Sequence, residues 1–279
     1  MKVFYSIKKP IILAFIILLA LTFAIFAILT MYGKKTIYVL MIKDPITYEK
    51  LDIDSMYRFL KDFKGDGLIL YIDSPGGGLE TYKIASALKN IDVPKLCYIH
   101  YYSTSGAYWL CSQADYIIAE PFSIVGSIGG IIEFVTFSRL FEKLGIDVII
   151  IKEGEYKDIG NPFRNITEEE IEILRKKLSL LVEEFKKDIR TKRNITNESL
   201  VFSGLWFFGI ESKDLGLVDY IGDFDDTKRK IASMLNTSID NIKFVFVDFK
   251  KKESILEKIS KVFISEFYNT ILRKLVIYS

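Results

Sequence analysis

The chain has 279 residues, half of them apolar, which is enough for one sizeable core, and its 38 basic and 36 acidic residues leave a formal charge of +2. The basic residues are interspersed with acids, so no charged stripe marks the chain as a nucleic-acid binder. His, Cys, Asp and Glu show no metal-ligand spacing, so neither a metal nor a cofactor is expected.

Residues 1–10 form a basic flank carrying Lys2, Lys8 and Lys9, and residues 11–32 (IILAFIILLALTFAIFAILTMY) hold no charge and no helix breaker. At 1.5 Å per residue such a helix spans the roughly 30 Å hydrocarbon layer. The run is long for a signal peptide and lacks a small-x-small cleavage pattern, so it reads as an uncleaved single-pass anchor in the cell membrane. Three lysines and the amino terminus precede the span, against Lys34 and Lys35 after it. By the positive-inside rule this places the remainder outside the cytoplasm.

Residues 36–279 read as one α/β domain, with its motifs in 36–225 and a strand and amphipathic helix in 226–279. A β-rich start at 36–42 is followed by a helix at 53–63 and the apolar run 68–72, which suits a buried strand. The same grammar then repeats: helix 79–89, strand 95–100, helix 106–112, strand 116–119, helix 137–144 and strand 147–151. Alternation of this kind implies a parallel sheet with right-handed crossovers. At Thr167 a Thr-Glu-Glu-Glu start opens a long helix whose Ile171, Leu174, Leu178, Leu181, Phe185 and Ile189 form a stripe, to pack on the sheet or on another subunit. A strand near 243–247 and a helix at about 253–275 close the chain. Cys97 and Cys111 lie in apolar surroundings and read as buried core thiols, with a disulfide between them as the alternative.

Three segments carry chemistry. Ser74-Pro75-Gly76-Gly77-Gly78 follows a strand and precedes a helix, where glycines let backbone N–H groups face a ligand; alone it would be only a turn. Ser105 stands where a strand gives way to a helix and is followed directly by Gly106, which leaves room for a substrate carbonyl. Taken singly, Ser105 would be a helix cap, and Ser103 and Thr104 compete for either role. The N–H groups of Gly77 and Gly106 are the candidate oxyanion donors. A serine needs a base to become a nucleophile, and with one His in the chain, Lys is the serious candidate. Lys157 has Tyr156, Ile159, Pro162 and Phe163 as apolar cover, Lys152 is the alternative, and Ser127 could orient the lysine. His100 has no carboxylate placed to orient it and reads as a packed histidine.

The ordered set of Ser-Pro-Gly-Gly, Ser105-Gly106-Ala107-Tyr108, Gly126-Ser127-Ile128-Gly129, Tyr156-Lys157-Asp158-Ile159-Gly160 with Pro162-Phe163-Arg164, and Gly216-Leu217-Val218-Asp219 with Ile221-Gly222 resembles the signal peptide peptidase A family of membrane-bound Ser-Lys proteases. The resemblance covers residues 36–225 and is to the short form with one catalytic domain. It implies the ββα spiral of the caseinolytic-protease and crotonase superfamily, assembled into homo-oligomeric rings or domes. It also implies Ser105 as nucleophile, Lys157 as base, Ser127 as the lysine-orienting residue and Gly76 to Gly78 as the oxyanion turn, with a complete dyad in one polypeptide. Ala107 departs from the pattern, where a second glycine is common. The activity implied is hydrolysis of hydrophobic, signal-peptide-like segments through an acyl-enzyme. A stomatin-clipping protease, a catalytically silent ring-forming scaffold and a crotonase-like acyl-thioester enzyme are the rivals. The last has no need of a Ser-Lys pair.

Overall fold

The computed structural model describes residues 13–26 and 33–251. Residues 13–26 form helix α1, with Leu18, Phe23 and Phe26 exposed. Among the described residues no helix is long and apolar enough to cross a membrane. The expected span at 11–32 includes residues 11, 12 and 27–32, which lie outside the described residues, as does the helix expected at 253–275.

The body is a mixed α/β fold. In chain order its elements are β1 (Lys35–Ile42), α2 (Ile53–Lys61), β2 (Gly67–Ser74), α3 (Glu80–Lys89), β3 (Lys95–Thr104), α4 (Gly106–Cys111), β4 (Tyr116–Ala119), β5 (Ile124–Gly126), α5 (Ser138–Leu144), α6 (Glu168–Lys192), α7 (Glu198–Val201), β6 (Trp206–Phe208), α8 (Gly209–Asp214), β7 (Tyr220–Ile221), α9 (Phe224–Met234) and β8 (Ile242–Asp248). The strands make one eight-stranded sheet of order β6-β5-β3-β2-β1-β8, with β4 joined to β3 and β7 joined to β4. Among the described residues every strand-to-strand pairing is parallel except β5 with β6.

Period-two alternation explains why the middle stretches of the central strands are apolar. Leu40 and Ile42 of β1, Leu68, Leu70 and Ile72 of β2, and Cys97 and Ile99 of β3 face the larger core, shared with α2, α3, α4 and α6. Ile37, Val39, Ile69 and Leu96 face the opposite side, where Ile231 and Ala232 of α9 and Ile242 of β8 cover them. A parallel sheet covered on both faces needs such runs. Truncating one of them, as in Leu70→Ala, is expected to cost about 2–5 kcal/mol.

Two irregularities position the site. The β2–β3 register shifts between Ile72 and Ser74, so that Ser74 ends beside Ser103. β3 also changes partner along its length, pairing through residues 96–99 with β4 and through 102–104 with β5. The carboxyl ends of β2, β3 and β5 therefore meet at one place.

Three expectations need correction. Residues 147–151 form no strand: residues 142–157 are exposed, and an apolar run becomes a strand only where a neighbour can accept its hydrogen bonds. Cys97 and Cys111 are buried as expected but form a disulfide rather than two thiols, because α4 folds back over β3 and brings their Cα atoms to 5.3 Å. Helix α9 was not foreseen; Asp223 caps it and, with Asp226, forms a capping box.

Candidate active site

Ser105 occupies the single residue between β3 and α4, with φ 52° and ψ −126°. Positive φ is unfavourable for a residue with a Cβ and is held here by its surroundings. Its N–H donates to the Gly126 carbonyl at 2.8 Å, and its own carbonyl accepts the first helical bond, from Trp109 N–H at 3.1 Å. The result is a strand–turn–helix elbow that presents the side chain at the helix N-terminus. Its competitors are engaged or enclosed: Thr104 Oγ1 donates to the Pro75 carbonyl at 3.0 Å, and Ser103 is fully buried.

The glycine turn lies against this elbow. Gly76 has φ 107°, and a Cβ built on it would stand 2.7 Å from the Thr104 carbonyl oxygen and 2.9 Å from the Gly106 nitrogen. A Cβ on Gly106 would stand 3.1 Å from the Gly77 nitrogen and 2.6 Å from Thr81 Oγ1. The two N–H groups named from sequence, those of Gly77 and Gly106, are thus neighbours. Gly106 is the first residue of α4, where a backbone N–H has no acceptor within the helix. Ser74 Oγ braces the turn, donating to the Asp44 carbonyl at 2.8 Å and accepting from Gly76 N–H at 3.2 Å.

Ser105 opens on two clefts. One, of about 440 Å³, is lined by Gly77, Gly78, Thr81, Ser105 and Gly106 on one side, with Trp109, Ile131, Ile132, Leu174, Leu178 and Phe185 supplying apolar wall. The other, about 350 Å³, holds Ser105 together with Ser127 and Ser203. Ser127, like Ser105, has positive φ (49°), and its N–H is fixed to the Leu205 carbonyl at 2.7 Å. The long-helix stripe is therefore divided: Phe185 and Ile189 are buried in the core, while Leu174, Leu178 and Leu181 are half-buried along the cleft.

Lys157 is exposed on the turn 152–160 and is not among the residues lining these two clefts. Lys152, the alternative base, is ion-paired with Asp158 at 2.5 Å and donates to the Glu155 carbonyl, and it too is not among the residues lining the two clefts. His100 packs against Tyr101, ring centroids 3.8 Å apart, and lies 3.4 Å from the Tyr98 hydroxyl, outside both clefts. Sequence reasoning missed the cleft walls, above all Trp109, Phe185 and Thr81. A tryptophan one turn beyond Ser105, facing a stripe that was already visible in α6, is the signal that could have found them. Trp109 stacks on Phe185 at 4.8 Å between centroids.

Residues 87–238 match the model of Peptidase family S49. Among curated relatives, a protein of Methanocaldococcus jannaschii named as a candidate protease is 36% identical over 199 residues, covering 68% of this chain and 64% of the relative. The probable protease SohB of Buchnera aphidicola subsp. Schizaphis graminum is 31% identical over 251 residues, covering 86% of this chain and 73% of the relative. The match thus spans a little under two thirds of the first relative and more of the second. A solved membrane-bound stomatin-specific protease in complex with a substrate peptide is 16% identical with a TM-score of 0.47, covering 83% of this chain and 98% of that one. The matched region holds Ser105, Gly106, Ser127 and Lys157, and it shows that the chain belongs to peptidase family S49, a family of proteases.

Proposed function

We propose that the protein is a membrane-anchored serine endopeptidase that cleaves hydrophobic, signal-peptide-like segments by acyl-enzyme chemistry. The observation that carries this reading is the strained Ser105 elbow, set beside the Gly77 and Gly106 N–H groups at the mouth of an apolar cleft. In the proposed reaction Ser105 Oγ attacks the scissile carbonyl while neutral Lys157 Nζ takes its proton. The oxyanion that forms is held by the N–H groups of Gly77 and Gly106. Collapse releases the amine, which takes the proton from Lys157, and leaves the acyl group on Ser105. Water activated by Lys157 then hydrolyses the ester.

A lysine base requires desolvation. The surface for it is present on the segment that bears Lys157, where Ile131, Val135, Ile149 and Ile151 are all strongly exposed. Packing of this apolar arm in a homo-oligomer, a ring or dome, would bury that face and exclude water from the lysine. Ser127, next to Ser105 in the second cleft, fits the lysine-orienting role. Residues 11–32 supply the anchor, with the catalytic part outside the cytoplasm and the apolar cleft facing peptides that emerge from the bilayer.

A fluorophosphonate that labels active serines tests the reading. Stoichiometric labelling of the wild type, lost in Ser105→Ala, is the expected result. An unlabelled but folded wild type would leave a scaffold that lacks catalysis, and labelling retained by Ser105→Ala would place the nucleophile elsewhere.

A further inference from the structure

The residues around Lys157 are tied down far more tightly than Lys157 itself. Asp158 accepts from Arg164 Nε at 2.7 Å and from Nη2 at 3.0 Å, and its Oδ1 also pairs with Lys152. The same guanidinium reaches the start of α6, donating from Nη1 to Glu170 Oε2 at 2.8 Å and from Nη2 to Glu170 Oε1. It further donates to the backbone carbonyls of Asp158 and Asn165. All three nitrogens are used, in two bidentate pairs.

Glu170 is almost wholly buried and is at the same time the capping-box residue of α6, accepting from Thr167 N–H at 2.9 Å. Nearby, the Tyr156 hydroxyl donates to Glu169 at 2.5 Å. Arg164 therefore bolts the Lys157 turn to the very helix that forms the cleft wall. The ionisable groups that meet it are Asp158 and Glu170, Lys152 shares Asp158 with it, and Glu155 and Glu169 lie beside Tyr156.

We propose that Arg164 is the positioning residue for the base. Two effects follow from its geometry, and both rest on the reading of Lys157 as that base. It fixes the backbone on which Lys157 is carried, by clamping the adjacent Asp158 to Glu170. It also shares with Lys152 the neutralisation of the Asp158 carboxylate, whose negative charge on the residue next to Lys157 favours the ammonium form when it is less fully balanced. Lysine at position 164 would keep the charge but could not grip both carboxylates, since it offers a point charge in place of a planar fork.

The test compares kcat, KM and the pH–rate profile of the full chain and its variants on a fluorogenic apolar peptide, with circular dichroism confirming the fold. For Arg164→Gln, kcat is expected to fall about tenfold or more with KM nearly unchanged, because positioning acts on the reaction step. Activity should rise with pH as Lys157 loses its proton, and the midpoint of that rise is expected to move to higher pH in Arg164→Gln. In Asp158→Asn/Arg164→Gln the midpoint should return while kcat stays low, and Arg164→Lys should keep the midpoint near wild type with kcat reduced. A role confined to stability would not move the midpoint, so folded variants with an unchanged midpoint overturn the proposal. Lys157→Ala separates the two ideas. If it retains wild-type turnover, the base is misassigned and no positioning role remains; if it is inactive while Arg164→Gln is normal, only the Arg164 proposal falls.

Discussion

Trp109 donates its indole N–H to Asp188 at 2.7 Å, which fastens α4, the helix that follows Ser105, to the buried half of α6. Asp188 is itself paired with Lys89 of α3 at 2.7 Å, so three helices converge on one carboxylate. Trp109→Phe keeps the ring that stacks on Phe185 but removes the donor. The expected cost is about 1–3 kcal/mol, that of an under-satisfied buried acceptor. A shift in the denaturant midpoint at constant slope measures it, and a midpoint equal to wild type would show that the indole bond contributes nothing.

Gly106→Ala should abolish most peptidase activity, because the new methyl would lie 2.6 Å from Thr81 Oγ1 and 3.1 Å from the nitrogen of Gly77. The conflict is chiefly with the Thr81 side chain, so Thr81→Ala/Gly106→Ala should recover part of what Gly106→Ala loses. A double-mutant cycle on kcat/KM reads the coupling directly. Additive effects would contradict the proximity of these residues.

Acid should loosen the Lys157 turn before it unfolds the core. Arg164, followed by the Thr167 backbone N–H, holds the Glu170 carboxyl down at about 2, and Arg164 with Lys152 holds Asp158 well below its ordinary range. Groups with depressed folded values stabilise fully above the ordinary carboxylate range, near pH 4, and lose that contribution as pH falls toward those values. Hydrogen exchange, corrected for intrinsic rates, should show residues 152–164 losing protection between about pH 4 and 2 while β2 and β3 keep theirs. Arg164→Gln should already lack that protection at neutral pH.

The Cys97–Cys111 bridge closes a sequence separation of 14 residues across β3 and α4. A loop of that size contributes about 3 kcal/mol through the unfolded chain. Protein refolded with both cysteines reduced should melt several degrees lower, and Cys97→Ala/Cys111→Ala lower still, since it also leaves space in the core. Equal melting temperatures in oxidised and reduced samples would refute the contribution.

The parallel core was legible because strands covered on both faces must be apolar along their middle stretches, as 68–72 and 96–99 are. The long helix was legible from its capping box and stripe. Helix α9 escaped notice because it buries little beyond Thr227, Ile231 and Ala232 and otherwise reads as a charged connection. The disulfide was hidden because two cysteines in apolar sequence look alike whether or not tertiary folding brings them together. At the site, the elbow and glycine turn are local in sequence, and their residues could be named. The cleft walls come from α4, α6 and the segment around Ile131, and what ties the two helices together is the Trp109–Asp188–Lys89 contact, which has no local signature.

The backbone at Ser105 carries a further implication. A residue with a side chain held at φ 52° and ψ −126° costs the folded state on the order of 1–3 kcal/mol that glycine would largely avoid. Folding alone would therefore favour glycine at this position, and Ser105→Gly is a direct way to ask whether stability and chemistry pull in opposite directions here. A variant more resistant to heat and yet without reactive serine would identify the elbow as a place where the protein gives up robustness for reactivity.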